Sequence, residues 1–146
     1  MIYDRTQQDV DNATKLLAKI KDGQTVTESE KTQIERGILS IAALNRIEGK
    51  ESDLRDALAL LGYNAEIPCK TWTYADLIRS GDYVRILRNV DRLKELVSLR
   101  TVSTPSSMFT FANLNVVEKL LHDVQVYVEN ISKSVVYSNE VFTGEV

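Results

Sequence analysis

The sequence has little of the chemistry that most catalytic and metal sites need. Its 146 residues include one cysteine, one histidine, two prolines and six glycines. A single cysteine excludes an intramolecular disulfide and a cysteine-rich metal site, and burial preference favours a half-buried Cys69 in a connector. Few prolines and glycines leave long stretches free to form helices. No Gly-rich phosphate loop, nucleotide fingerprint or metal-ligand spacing occurs. We therefore expect no enzyme activity, no catalytic residues, no metal and no cofactor.

Charge and hydrophobic runs argue against two further classes of protein. The net charge is −3 and the isoelectric point is about 5.2, which does not favour nucleic-acid binding through overall charge. The most apolar stretch, 38–44, is far shorter than the roughly 20 residues that cross a bilayer. The first ten residues lack the apolar segment of a secretory signal. We expect no membrane association, and synthesis in the cytoplasm.

Hydrophobic periodicity predicts an all-α protein, an irregular bundle of about five helices. We expect helices from Asp4 or Thr6 to Asp22, from a Thr27–Glu30 capping box to Gly37, and over 41–61, 83–99 and 114–133. Asp82 and Asn113 are the predicted caps of the last two helices. Residues 1–133 are therefore predicted to form a single helical domain, and 134–146 a short extended tail.

Three of these helices share an opening pattern. The aligned segments are Leu44-Asn45-Arg46-Ile47-Glu48, Leu87-Arg88-Asn89-Val90-Asp91 and Leu114-Asn115-Val116-Val117-Glu118. Each has leucine, a β-branched residue three positions on, an acid at the fifth position, and an apolar residue ten positions after the leucine. The apolar offsets lie on one helical face and predict equivalent core positions. Chance likeness of amphipathic helices is the alternative explanation, and the helix dipole explains the acids as first-turn residues.

Two polar features are candidates for binding. Arg85, Arg88 and Arg92 are spaced to form one basic stripe beside the apolar face of their helix. Such a stripe can form ion pairs within the fold, remain solvated, or bind an acidic protein partner or nucleic acid. His122 follows Glu118 by one turn but falls off the apolar stripe, so we expect a solvated histidine and no metal site.

The last ten residues contain two similar five-residue units. Residues 137–141 and 142–146 each read aromatic, hydroxyl, turn-former, glutamate, valine. A lone β-prone segment leaves its amides unpaired, which favours docking onto the edge of a neighbouring subunit or partner protein. The alternative is a disordered terminus. The predicted interaction residues of this tail are Tyr137, Glu140, Val141, Phe142, Glu145 and Val146.

The order of several motifs resembles a known group of proteins. The motifs are Leu-Asn-Arg-Ile-Glu from Leu44, Lys-Thr-Trp from Lys70, Ile-Leu-Arg-Asn-Val from Ile86, Leu-Asn from Leu114 leading to Val-Glu-Lys-Leu-Leu, and a tail ending in Gly144-Glu145. Over about 40–146 the chain is similar to small helical proteins encoded among the tail genes of phages and prophages of Gram-positive bacteria. Arg88 departs from the pattern, since asparagine stands at the matching position of the other two helices.

This resemblance implies a non-enzymatic structural or adaptor protein of the virion, at the tail tip, baseplate or fibre region. It implies other tail proteins as partners and a homo-oligomer, for which a trimer is the expected closed form. The expected location is the virion, after synthesis in the host cytoplasm, with no membrane and no nucleic acid as partner. A second hypothesis is a cytosolic helical regulatory module that binds an acidic partner or nucleic acid through Arg85, Arg88 and Arg92.

Overall fold

The computed structural model of the protein confirms the all-α prediction. It describes residues 1–100, 102–108 and 110–144, with side chains described to residue 134. Within these residues there are five helices and no strand: α1 (Gln7–Lys21), α2 (Glu28–Gly37), α3 (Ile41–Leu60), α4 (Ser80–Leu96) and α5 (Phe111–Gly144). None of the helices in the described part of the chain combines the length and the apolar character needed to span a bilayer.

Local capping chemistry explains where the first helices begin. Thr6 and Thr27 each accept a hydrogen bond from the amide three residues on, and the Asp9 and Glu30 carboxylates accept from the two threonine amides. The Ser40 hydroxyl accepts from the Ala43 amide in the same way at the start of α3. These three helix starts agree with the sequence pattern.

The predicted caps of the last two helices are wrong by about one turn. Asp82 lies inside α4, where its carboxylate accepts a hydrogen bond from the Arg79 amide at 2.9 Å. Asn113 lies inside α5, and its backbone amide donates a hydrogen bond to the Thr110 hydroxyl at 3.1 Å. Asp82 therefore serves the start of α4 from its first turn, whereas at the start of α5 the Thr110 side chain, and not that of Asn113, accepts the capping hydrogen bond.

The core is formed where α3, α4 and α5 pack against one another. All nine positions that the shared opening pattern predicts to be equivalent are buried: Leu44, Ile47, Leu54, Leu87, Val90, Val97, Leu114, Val117 and Val124. Ile67 and Trp72 from the α3–α4 connector and Met108 from the α4–α5 connector complete the same cluster. The periodicity therefore predicted the buried faces correctly.

The hairpin of α1 and α2 contributes little to that core. The two helices pack chiefly on each other, around the buried Ala13 and Ile34. Gly37, the last residue of α2, lies directly against the backbone of α1: a Cβ there would be 2.2 Å from the Asp9 carbonyl oxygen and 2.5 Å from the Ala13 Cβ. Close approach of the two helices depends on the absence of a side chain at this position.

Substituting Gly37→Ala is expected to lower the free energy of unfolding by about 1–3 kcal/mol, because the added methyl group displaces backbone atoms. The matched control is Gly49→Ala in the middle of α3, where a Cβ meets no atom within 4 Å. That control should stabilise the protein by about 0.5–1 kcal/mol, since alanine is the better helix former. Urea unfolding of both variants tests the contact. Equal effects of the two substitutions would contradict it.

Helix α5 runs to Gly144, so the backbone of 134–144 is helical where the sequence predicted the start of an extended tail, 134–146. Side chains are described only to Ser134, so the six predicted interaction residues from Tyr137 to Val146 lie outside the described side chains. Their docking role stays a prediction.

Candidate functional site

The most distinctive feature of the interior is a set of buried polar groups. Among the described side chains, five polar or charged residues are buried: Arg5, Glu48, Glu51, Asn89 and Glu118. Removing charged groups from water is costly, so such residues are kept only where hydrogen bonds and opposite charges surround them. We define these residues and their partners as the buried polar network.

Glu118 of α5 is the first centre of this network. Its carboxylate has no exposed surface and pairs with Arg5 at 2.7 Å and with Arg46 of α3 at 2.7 Å. It also accepts a hydrogen bond from the Ile2 amide at 3.1 Å. Burial lowers the pKa of Arg5, and the charge of Glu118 opposes that shift. One carboxylate thus joins the N-terminal segment, α3 and α5.

Glu48 of α3 is the second centre. Its oxygens accept from the Lys70 amide at 3.1 Å and from Arg85 of α4 at 2.8 and 2.9 Å. They also accept from the indole N–H of Trp72, and the Lys70 ammonium lies over the Trp72 ring, 4.2 Å from its centroid. This centre joins α3, α4 and the connector between them.

An asparagine one turn before each of these glutamates repeats the same geometry. The Asn45 side chain accepts from the Trp72 amide at 2.7 Å and donates to the Trp72 carbonyl at 3.0 Å. The Asn115 side chain accepts from the Arg5 amide at 3.0 Å and donates to the Arg5 carbonyl at 3.0 Å. Each asparagine therefore pairs with both backbone groups of one residue in a non-helical segment. We call each Asn-x-x-Glu unit a clamp.

The two clamps give a physical reason for the shared opening pattern in α3 and α5. In each, the leucine and the β-branched residue are buried, and the asparagine and glutamate hold a segment against the helix. The helix-dipole explanation of these acids was wrong. Glu48 is seven residues after the first residue of α3, and Glu118 is seven after that of α5, so both lie beyond the first turn.

The third helix with this pattern, α4, has no such clamp. Arg88 and Asp91, at the positions of the clamp asparagine and glutamate, are both exposed. The neighbouring Asn89 is buried instead and donates to Glu51 at 2.9 Å and to the Pro68 carbonyl at 2.8 Å. The departure seen in the sequence at Arg88 is therefore a structural difference as well.

Glu51 and Cys69 lie beside the Glu48 centre. Glu51 is fully buried, and its burial raises the pKa of the carboxyl group to about 8. Cys69 is half-buried, as the sequence predicted, with its sulfur 4.0 Å from Glu51 Oε2. Burial and the charges of the two glutamates raise the pKa of its thiol to about 11. A thiol held in this form is a poor nucleophile.

The structure separates the three arginines of the predicted basic stripe. Arg85 is paired with Glu48 inside the network, whereas Arg88 and Arg92 are exposed. Arg92 makes one long contact, 3.5 Å, to the Glu66 carbonyl oxygen. Two of the three therefore remain on the surface.

His122 is half-buried, whereas the sequence predicted a fully solvated side chain. Its ring lies beside that of Tyr3, with the centroids 5.3 Å apart. The N-terminal segment that the second clamp holds therefore also covers this histidine.

Sequence reasoning missed Arg5, Trp72 and Glu51 as network members. The asparagine shared by the α3 and α5 patterns was the available signal, since an asparagine on the buried side of a helix needs partners for its amide. No family model, curated protein or solved structure matches this chain.

Proposed function

We propose that this protein is a non-enzymatic structural or adaptor component of a phage or prophage tail, in the tip, baseplate or fibre region, acting through protein–protein assembly. The single observation that carries the proposal is the placement of the resemblance motifs. Residues of the Leu-Asn-Arg-Ile-Glu, Lys-Thr-Trp and Leu-Asn motifs belong to the clamps or contact them. The residues of these motifs hold segments of the chain together, as expected of a protein with a structural role.

The packing of the buried groups also favours binding over catalysis. Glu48 and Glu118 each accept hydrogen bonds from three residues of the fold itself. A general acid or base must instead reach a substrate and exchange a proton with it. Exposed apolar side chains are present as well: Tyr74 and Leu77 lie three residues apart in the α3–α4 connector with 97% and 79% of their surface exposed. We expect assembly to cover side chains of this kind.

The direct test is the composition of purified particles. Mass spectrometry of virions from an induced lysogen should find this protein in a fixed ratio to the tail proteins, and deletion of its gene should give particles with defective tails. Particles that lack the protein and keep full infectivity after the deletion would overturn the proposal. The double variant Tyr74→Ser, Leu77→Ser should retain the fold and reduce incorporation, whereas Glu35→Gln, an exposed change on α2, should leave incorporation unchanged.

Truncation after Ser134 is expected to convert a homo-oligomer, for which a trimer is proposed, into a folded monomer. The reason is that the last buried residue among the described side chains of α5 is Val128, so the described core is kept, whereas the predicted docking residues are removed. Light scattering gives the mass, and circular dichroism reports the helices. The double variant Tyr137→Ser, Phe142→Ser should have the same effect as the truncation. Its matched control, Ser138→Ala, should keep the oligomer. A truncated chain that keeps the oligomer and enters particles would show that the tail has no docking role.

The alternative function, binding of nucleic acid or an acidic partner through the basic stripe, has less support. Arg85 is bonded to Glu48, so only Arg88 and Arg92 remain for such a surface. DNA retention that falls with salt and is lost in Arg88→Ala would favour this alternative over the tail proposal.

A further inference from the structure

A group of three potential metal ligands lies at the Glu48 centre. The carboxylates of Glu48 and Glu51 and the sulfur of Cys69 offer ligand atoms that all lie within 4.8 Å of one another. Glu48 and Glu51 are separated by three residues on α3, so they share one helical face. Cys69 reaches the same point from the connector that the first clamp holds at Trp72.

A second observation distinguishes this group from an ordinary acidic cluster. Glu51 has no exposed surface, and its Oε1 atom has no hydrogen-bond partner among the described residues. A buried carboxylate oxygen without a partner is costly, and native structures seldom leave one. The other oxygen, Oε2, accepts from Asn89. A ligand at Oε1 would satisfy this oxygen, which is one of four buried side-chain atoms without a hydrogen-bond partner among the described residues.

The negative charge of an ionised Glu51 would also lack a paired cation. Arg85 pairs with Glu48 and neutralises one carboxylate. Arg55 pairs with Asp56 and donates to the Ile67 carbonyl. Neither arginine bonds to Glu51, so a positive charge at Glu51 has to come from a proton or from a bound cation.

The geometry points to a binding site for one zinc ion, with Glu51 and Cys69 as the principal ligands and Glu48 as the third. A thiolate among carboxylates favours zinc over magnesium or calcium, which prefer oxygen ligands alone. Zinc bonds of about 2.0–2.3 Å in tetrahedral geometry place ligand atoms about 3.6 Å apart, so the group has to close by about an ångström. Binding releases the proton of the thiol and that of Glu51 to the solvent.

An open cleft beside two of the three proposed ligands, Glu48 and Cys69, gives the ion access and a place for a fourth ligand. A surface cleft of about 530 Å³ is lined by Glu48 and Cys69, together with Lys70 of the connector and Ser52 and Asp53 on the rim. Water in this cleft can supply the fourth ligand, as it does where three protein ligands hold zinc. The ion would tie α3 to the connector, in addition to the first clamp.

The test uses the reduced full-length protein, with Zn²⁺ and Cd²⁺ as probes. Trp72 is the sole tryptophan and its indole N–H donates to Glu48, so its fluorescence reports directly on this centre. We expect saturable 1:1 binding of Zn²⁺, reversal by EDTA, and a thiolate-to-cadmium absorption band with Cd²⁺. Zn²⁺ should also slow alkylation of Cys69 at least tenfold, a measurement that needs no variant.

Variants locate the ion. Glu51→Gln and Cys69→Ser should each weaken Zn²⁺ binding at least tenfold, and Cys69→Ser should abolish the cadmium band. The controls are Asp53→Asn, which removes an exposed carboxylate on the rim of the same cleft, and His122→Gln, which removes the only histidine. Both controls should bind as tightly as the wild type. Absence of saturable binding to the wild type, or binding that both ligand variants retain, would overturn the site and leave a proton as the partner of Glu51.

Discussion

Replacing Glu118 with alanine is expected to lower the free energy of unfolding by about 3–5 kcal/mol, the usual cost of removing one partner of a buried ion pair. The substitution leaves Arg5 buried without its carboxylate and removes the acceptor of the Ile2 amide. It also takes away the partner of Arg46, which bridges from α3. The N-terminal segment should then separate from α5, so that the loss appears in urea unfolding and in faster amide exchange at Ile2.

A control on the same helix separates this effect from general damage to α5. Glu129 is exposed and accepts a hydrogen bond only from Gln125 among the described contacts. Glu129→Ala should change stability by less than about 0.5 kcal/mol. The double variant Arg5→Met with Glu118→Leu should recover part of the lost stability, because apolar groups can replace a buried ion pair. A loss below about 1 kcal/mol for Glu118→Ala would mean that the Glu118 centre contributes little to the fold.

Much of the fold was predictable because burial on one face leaves a periodic record in the sequence. Leu44, Leu87 and Leu114, each with partners three and ten positions on, were assigned to the core, and all nine positions are buried. The two threonine capping boxes were predictable for a similar reason, since each cap and its glutamate or aspartate are only three residues apart. Local patterns of this kind need no knowledge of the tertiary structure.

The buried polar network was not predictable in the same way, because its partners are far apart in the chain. Arg5 and Glu118 are separated by 113 positions, and Arg46 and Glu118 by 72. Nothing near Arg5 in the sequence indicates burial, and an arginine is rarely expected inside. The clamp asparagines were visible as a repeat, but the backbone segments that they bind have no side-chain signature. Only the packing of α3 against α5 brings the partners together.

The acids of the shared pattern show how a correct observation received a wrong physical explanation. Their equal spacing from the leucine was real, and the helix dipole was the local effect to which it was assigned. The helix starts at Ile41 and Phe111 place Glu48 and Glu118 about two turns into their helices, where the dipole no longer acts. Their common position reflects a common tertiary contact, so the tertiary structure was required to identify it.

Glu51 should make the stability of the metal-free protein fall as the pH rises from about 5 to 8. Burial raises its pKa from 4.5 to about 8, so over this range the folded state holds a proton that the unfolded state has lost. Folding therefore takes up one proton, and each pH unit lowers the free energy of unfolding by about 1.4 kcal/mol. The total loss is expected to be about 3–5 kcal/mol, complete above the folded-state pKa and absent below the unfolded one.

Glu51→Gln isolates this effect because glutamine resembles the protonated carboxyl group in shape and carries no charge at any pH. In EDTA, the variant and the wild type should be about equally stable at pH 5, and the variant should be the more stable by about 3–5 kcal/mol near pH 8.5. Asp53→Asn, an exposed change of the same charge on α3, should track the wild type at both values. Urea unfolding at several pH values gives the difference directly. Parallel curves for Glu51→Gln and the wild type would show that the carboxyl group ionises normally, with solvent reaching the Oε1 atom that has no partner in the fold.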